Sequence, residues 1–385
     1  MNTLSANFIF DQLPERRGGD SVKWNKYAGR DVIPLWIADM DFPAPPAVLA
    51  ALQARLAQGC LGYAEAWPEL VDTVSGYLQR EYAWPIEDEW IVWLPGLVTG
   101  INLACRAVDG DVLTATPVYP PFLSAPGLSG RALVKVPLRL SEGRWGWDFA
   151  ALEAALTPTT RLLLLCHPHN PVGRAWQPEE LAALAEFCVR HNLVVCSDEI
   201  HCGLLLDDGL QHIPLASLNE AISRRSITLM APSKTFNIPG LGCAFAVIPD
   251  AALRRRFCTV MRGIVPDVNV LGFSGALAAY RDGEEWRQTL LAVLRTNRDC
   301  VESVVASIPE LSMTHVEATY LACIDARGLG VDDPVGFFEA AGVGLSSGAD
   351  FGLPGWVRLN FGCAPKVLDS ALQRVRLACI QNRNK

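Results

Sequence analysis

A mostly parallel α/β sheet covered by helices on both faces is the fold class this sequence predicts, and three observations carry it. Short, near-continuous apolar runs at 161–166, 193–196 and 227–230 alternate with stretches of helical periodicity. Polar residues with chemistry to offer, Asn170, Asp198 and Lys234, stand where those runs end, as active-site groups do in parallel sheets. Half of the 385 residues are hydrophobic, enough for one large domain and a smaller one.

In chain order, residues 1–46 read as an arm, since Gly18, Gly19 and the extended stretch 24–46 argue against a long helix. Residues 48–56 and 68–82 have helical periodicity, with the loop Gly62-Tyr63-Ala64-Glu65 between them. Residues 90–94 read as a strand, after which Pro95-Gly96-Leu97-Val98-Thr99-Gly100 opens a helix reaching 108. A glycine at that junction lets backbone N–H groups approach a phosphate, although a plain turn is the commoner meaning of such a motif alone. Strands are expected at 111–116, 132–136, 161–166 and 193–196, and at Ile227 and Ala244; residues 117–122 read as a loop. Helices are expected at 148–156, 178–191, 272–280 and 284–305. Strands at 320–324 and 356–360 and a last helix at 366–380 complete the chain. The expected division is an arm with part of the small domain at 1–46, a large domain at 47–282 and a small domain at 283–385.

The net charge of −8 and the absence of a long basic run argue against nucleic acid or an anionic membrane as partner. Arg254-Arg255-Arg256 reads as a helix surface. No apolar stretch approaches the ~20 residues of a membrane span, and Met1 to Asn7 lacks the pattern of a signal peptide, so a cytoplasmic location is expected. The twelve cysteines form no CxxC pair. Cys105, Cys166, Cys188, Cys196, Cys258 and Cys379 read as small buried thiols in a reducing compartment, and no metal is expected.

Lys234, in Ala231-Pro232-Ser233-Lys234-Thr235-Phe236-Asn237, follows an apolar run and precedes Pro239, Gly240 and Gly242. Burial there lowers an amine's pKa and leaves a nucleophile able to hold an aldehyde as a Schiff base. Alone, the plainer reading is a solvated turn lysine. Ser197-Asp198-Glu199-Ile200-His201 changes the balance, because a carboxylate at the end of a buried strand needs a partner. Pyridoxal phosphate chemistry requires such a pair: a lysine for the aldehyde and a carboxylate for the pyridinium nitrogen.

These two segments resemble those of fold-type-I pyridoxal-phosphate enzymes, the aspartate-aminotransferase superfamily. Trp36-Ile37-Ala38-Asp39-Met40-Asp41-Phe42-Pro43, Cys166-His167-Pro168-His169-Asn170-Pro171-Val172-Gly173-Arg174 and Ala318-Thr319-Tyr320-Leu321 resemble the cystathionine β-lyase (C–S lyase) branch. The resemblance implies a seven-stranded, mostly parallel sheet in the large domain, an α+β small domain and a homodimer with shared sites. It implies that Lys234 carries the cofactor and takes the Cα proton, that Asp198 holds the pyridinium, and that Asn170 bonds the phenolic oxygen. His201 would bond the same oxygen, with a structural histidine as an even rival, and Tyr119 would stack on the ring.

The resemblance further implies that Gly96, Leu97, Val98 and Ser233 hold the phosphate and that Tyr63 reaches the neighbouring subunit's phosphate. Arg358 would clamp the substrate α-carboxylate, and Asp39 would border the substrate. The chain departs from the common pattern at Ala231, often serine, and at Gly242, where many aminotransferases carry arginine. His167, Cys323 and Gly203 also depart from it and are expected to retune the substrate pocket. The implied activity is β-elimination from cystathionine or related S-substituted cysteines, releasing thiol, pyruvate and ammonia. An aminotransferase is the alternative, and intact Lys234, Asp198 and Arg358 argue against a non-catalytic regulatory protein.

Overall fold

The computed structural model describes residues 10 and 13–384; the stretch Met1 to Asn7 lies outside them. The apolar runs become seven strands of one sheet. They are β1 Ile91–Leu94, β2 Asp111–Thr116, β3 Leu133–Pro137, β4 Thr160–Cys166, β5 Val194–Asp198, β6 Ser226–Met230 and β7 Ala244–Val247. Their spatial order is β1-β7-β6-β5-β4-β2-β3. Only β7 runs against its neighbours.

Side-chain alternation explains why the runs are apolar throughout. Leu162, Leu164 and Cys166 of β4 pack in the cluster of the helix α1, Leu97–Ala107, and of the helix Ala251–Met261, while Leu163 and Leu165 pack with helix Pro178–Arg190. With both faces covered, the stretch from Leu162 to Cys166 has no place for a solvated side chain, and Arg161 reaches solvent only at the strand's start. Charge therefore collects at the strand ends. Winding reverses between β2 and β4, so the loops after β2, β4, β5 and β6 converge on one side of the sheet.

The C-terminal part builds a second, antiparallel sheet from β8 Ser312–Met313, β9 Leu321–Asp325, β10 Ser346–Ser347 and β11 Trp356–Asn360, in the order β8-β9-β11-β10. The helices Glu284–Ala306 and Pro365–Arg383 pack together beside it. The arm joins this part, with Ile33–Pro34 pairing parallel to Val343–Gly344.

Several elements differ from expectation. Residues 117–122 are not all loop: a helix, α2, starts at Pro120 and runs to Leu128. Proline is well suited to a first helical position, where its missing N–H costs nothing. A hairpin, Arg139–Ser141 with Arg144–Gly146, turns on Glu142 and Gly143, both at positive φ. A short helix, Pro334–Ala340, precedes Val343–Gly344. Arg254, Arg255 and Arg256 do lie on a helix, and of the cysteines read as buried only Cys258 is part-exposed. Among the described residues no helix is long and apolar enough to cross a membrane.

Candidate active site

The converging loops enclose a cavity of about 330 Å³. Tyr119 reaches it from after β2, Asn170 from after β4, Asp198 and His201 from the end of β5, Ser233 and Lys234 from after β6, and Arg358 from β11. Gly96, Leu97 and Val98 form one end. Every residue expected to hold the cofactor or substrate lines this cavity except Asp39 and Tyr63.

Register places the two ionisable partners. Asp198 pairs across the sheet with Leu229 of β6 and with Cys166 of β4, so Lys234, just beyond β6, opens onto the same space. Burial pushes the Lys234 amine down to about 8; Arg358 pushes the same way, while Asp39 and Asp198 oppose. Its Nζ donates to the Ala38 carbonyl at 2.5 Å. Burial pushes Asp198 up to about 7, against the pull of the Ile200 N–H on Oδ1 at 3.2 Å and of Lys234. Oδ2 is left for a donor within the cavity. Burial, with Lys234 and Arg358 beside it, holds His201 down to about 3, so its ring is neutral. Its Nδ1 is buried with no hydrogen-bond partner among the described residues.

Arg358 is buried and remains a cation near neutral pH, although burial lowers it to about 10. Its Nη1 donates to Asn170 Oδ1 at 3.1 Å, and its Nη2 donates to Trp36 O at 2.8 Å and to Ser346 Oγ at 3.3 Å. The guanidinium lies 4.5 Å above the Phe351 ring centre. Its Nε stays buried and unpartnered, an orphan that an anionic ligand would satisfy. Binding Oδ1 of Asn170 leaves that side chain's N–H groups free to donate.

The segment 36–42 is a strap across the site, held mainly by its own carbonyls. Asn360 Nδ2 donates to Ile37 O at 2.6 Å and to Asp39 O at 2.7 Å; Asn237 Nδ2 donates to Met40 O at 3.1 Å and to Phe42 O at 2.7 Å. Asp41 anchors it below, accepting from Lys23 Nζ at 2.9 Å, Arg16 at 3.0 Å and Trp24 Nε1 at 3.0 Å. Asp39 Oδ2 accepts from Arg16 at 2.8 Å, its Oδ1 is buried without a hydrogen-bond partner among the described residues, and Ile37 and Ala38 of the same strap line the cavity.

The departures in the motifs have structural reasons. Gly242 sits at φ +60°, with the Pro95 carbonyl 3.4 Å from where a Cβ would be. An arginine there would carry backbone strain. A Cβ on Gly203 would meet the Thr235 side chain at 2.6 Å, which excludes an acidic residue without a shift of Thr235. His167 stacks on His212 at 4.4 Å and faces Ile213 O at 3.2 Å, and Cys323 lies buried opposite Arg358 in β9. None of His167, Cys323 and Gly203 is among the residues lining the cavity.

The donor set fits pyridoxal phosphate. Asp198 Oδ2 suits a protonated ring nitrogen, and Tyr119 offers a ring face. Asn170 and His201 offer donors for a phenolic oxygen, and the N–H groups opening α1, with Ser233 Oγ, suit a phosphate. The sequence reading placed Tyr320 in a motif but gave it no role of its own; its hydroxyl donates to Ala38 O at 2.9 Å. Tyr63 is fully exposed and lies away from this cavity.

The family model described as aminotransferase class I and II matches residues 30–375. Cystathionine beta-lyase PatB of Bacillus subtilis (strain 168) is 36% identical over 384 residues, spanning 96% of this chain and 99% of that protein. Among solved structures, OvoB superposes with a TM-score of 0.95 at 49% identity, over 97% of this chain and 99% of its own. Cystalysin from Treponema denticola, which contains a pyridoxal 5'-phosphate cofactor, superposes with a TM-score of 0.93 at 30% identity, over 97% and 99%.

Proposed function

The chain belongs to the aminotransferase class I and II family, and from that premise we propose that it is a pyridoxal-phosphate-dependent C–S β-lyase acting on cystathionine or related S-substituted L-cysteines. The observation that carries this reading is the convergence of Lys234, Asp198 and Arg358 on one cavity, with Arg358 the one arginine among the described residues of this chain that line it. When bound, pyridoxal phosphate supplies an electron-withdrawing ring that stabilises negative charge at the substrate Cα. Asp198 would keep the ring nitrogen protonated. Tyr119 would cover the ring face, Asn170 and His201 would bond its phenolic oxygen, and Gly96, Leu97, Val98 and Ser233 would receive the phosphate.

Arg358 grips the substrate α-carboxylate and so fixes the orientation of the Cβ–S bond. Lys234 Nζ takes the Cα proton. The electron pair left at Cα drives out the thiolate from Cβ, and the aminoacrylate released hydrolyses to pyruvate and ammonia. The lone arginine favours a monocarboxylate grip over the dicarboxylate recognition of many aminotransferases.

The test is partitioning. Purified protein loaded with cofactor is given cystathionine, and separately common amino acids with 2-oxoglutarate or pyruvate. Pyruvate release from the thioether should exceed amino transfer by at least about a hundredfold, the scale of one well-used catalytic group. Fast amino transfer with negligible pyruvate from any cysteine thioether would replace this reading with the aminotransferase.

The active unit in this reading is a homodimer. Val98 lines the cavity and is itself 44% exposed, and the clefts leading from it run past Ile264 and Pro266 to Leu61 and Tyr63, all of them exposed. A continuous apolar face beginning at a site mouth marks an interface. Tyr63 on it then reaches the other subunit's phosphate. Mixing an inactive Tyr63→Ala chain with an inactive Lys234→Ala chain should restore up to about a quarter of wild-type turnover, since half the dimers then hold one intact site. No recovery after verified subunit exchange counts against the shared site. The division at 46 and 282 into arm, large and small domains, and a cytoplasmic setting for the unpaired thiols, belong to the same proposal.

A further inference from the structure

Tyr320 is 1% exposed and lies beneath the strap rather than on the cavity wall. Its hydroxyl and Lys234 Nζ donate to one and the same oxygen, that of Ala38, at 2.9 and 2.5 Å. A carbonyl oxygen has two lone pairs and can accept both. The two donors compete for its electron density, so a phenol already bonded there makes the oxygen a poorer resting place for an ammonium group.

The backbone behind Tyr320 shows that this placement is enforced. Thr319 is fully buried and sits at φ +77°, a left-handed conformation that a β-branched residue rarely adopts. It is kept by its N–H to Leu204 O at 2.8 Å, by the Leu321 N–H to its Oγ1 at 3.1 Å, and by the adjacent Ala318 N–H to Gly173 O at 2.9 Å. On the other side of the same carbonyl, Asn237 at φ +53° ties the strap two and four residues further on, at Met40 and Phe42. Two non-glycine residues at positive φ thus hold the groups that meet at Ala38 O.

We propose that Tyr320 is a positioning residue for Lys234: by occupying and holding the Ala38 carbonyl it sets where the lysine's free amine rests and weakens that amine's grip on a proton. The proposal rests on reading Lys234 as the reactive amine. The other groups facing Lys234 are Asp198 from β5, Arg358 from β11 and Asp39 from the strap, with neutral His201 and Tyr119 on the cavity wall. Burial and Arg358 favour the neutral amine, whereas Asp39 and Asp198 favour the ammonium. Tyr320 adds to the first set.

The experiment uses cofactor-free protein, so that its outcome is independent of lyase turnover. Lysines are reductively methylated with ¹³C-formaldehyde and titrated by NMR, with Lys234→Arg identifying the signal of Lys234. Tyr320→Phe keeps the ring and removes the donor; the Lys234 midpoint should rise by about half to one pH unit, a three- to tenfold tighter hold on the proton. Site-specific 3,5-difluorotyrosine at 320, a nearly isosteric and stronger donor, should move the midpoint down. A midpoint unmoved in both variants, or moved the same way in both, overturns the proposal. Where circular dichroism shows that Tyr320→Phe has not folded, the difluorotyrosine chain decides alone, a fall supporting the role and any other result refuting it. Absent lyase turnover in the wild type would instead refute the proposed function and leave this titration standing.

Discussion

Lys234→Ala is expected to lower thioether cleavage by about 10⁴-fold or more, because one nitrogen both captures the cofactor aldehyde and moves the Cα proton. Lys234→Arg should fail nearly as badly, since a guanidinium does not lose its proton near neutral pH. The environment of Lys234 makes a second outcome measurable. Burial lowers its amine from an ordinary 10.5 to about 8. At pH 7 such an amine is neutral about one time in ten, against roughly three times in ten thousand at the ordinary value. The rate at which cofactor-free protein captures pyridoxal phosphate should therefore rise about tenfold per pH unit below the midpoint and level off above about 8. Borohydride fixation and peptide mapping should place the cofactor on Lys234. Label on another lysine, or turnover above about a hundredth of wild type in Lys234→Ala, would falsify the assignment.

What made Lys234, Asp198 and Asn170 legible in the sequence is the cost of polar groups in a covered sheet, whereas Arg358 was marked by its apolar flanks in β11. The buried stretch of a central strand disfavours ionisable side chains, so a charge at its end demands an explanation. The short-range logic of proline was harder to read. Pro120 and Pro121 look like loop residues until one sees that the first turn of α2 needs no N–H from them. Least legible were contacts between backbone and side chain across long sequence separations. Tyr320 and Ala38 are 282 positions apart, and Asn237 and Met40 are 197 apart. Nothing local in either partner reports them. Thr319 runs against its own propensity, and such conflicts between local preference and tertiary demand gather at functional sites. Asp39 shows the converse: its strap reaches the cavity as the motif implies, yet its carboxylate is taken by Arg16 on the arm.

Asp198 should reveal a trade between stability and activity. Asp198→Asn keeps the shape and the acceptor for the Ile200 N–H but cannot hold a pyridinium, so the ring nitrogen loses its proton and the stabilisation of charge at Cα weakens. Turnover should fall by about 10³-fold or more, with cofactor still captured by Lys234. Wild-type-like turnover in that variant would refute the role. The cofactor-free protein should respond in the opposite sense. Burial raises the Asp198 carboxyl from 3.8 to about 7 in the folded chain. A carboxyl whose folded pKa is raised binds its proton more tightly folded than unfolded, so folding stability falls as pH rises between those two values. The penalty is absent below about 4, complete above about 7, and on the order of 4 kcal/mol. Asp198→Asn removes it. In scans without cofactor the variant should melt several degrees above wild type at pH 8, and the gap should close as the pH is lowered toward 4. Adding pyridoxal phosphate at pH 8 should reverse the order, because the cationic ring gives the buried carboxylate of the wild type the partner it lacks. Equal melting temperatures across this pH range would show that Asp198 is already compensated within the protein, and the carboxylate would then not be poised for the ring.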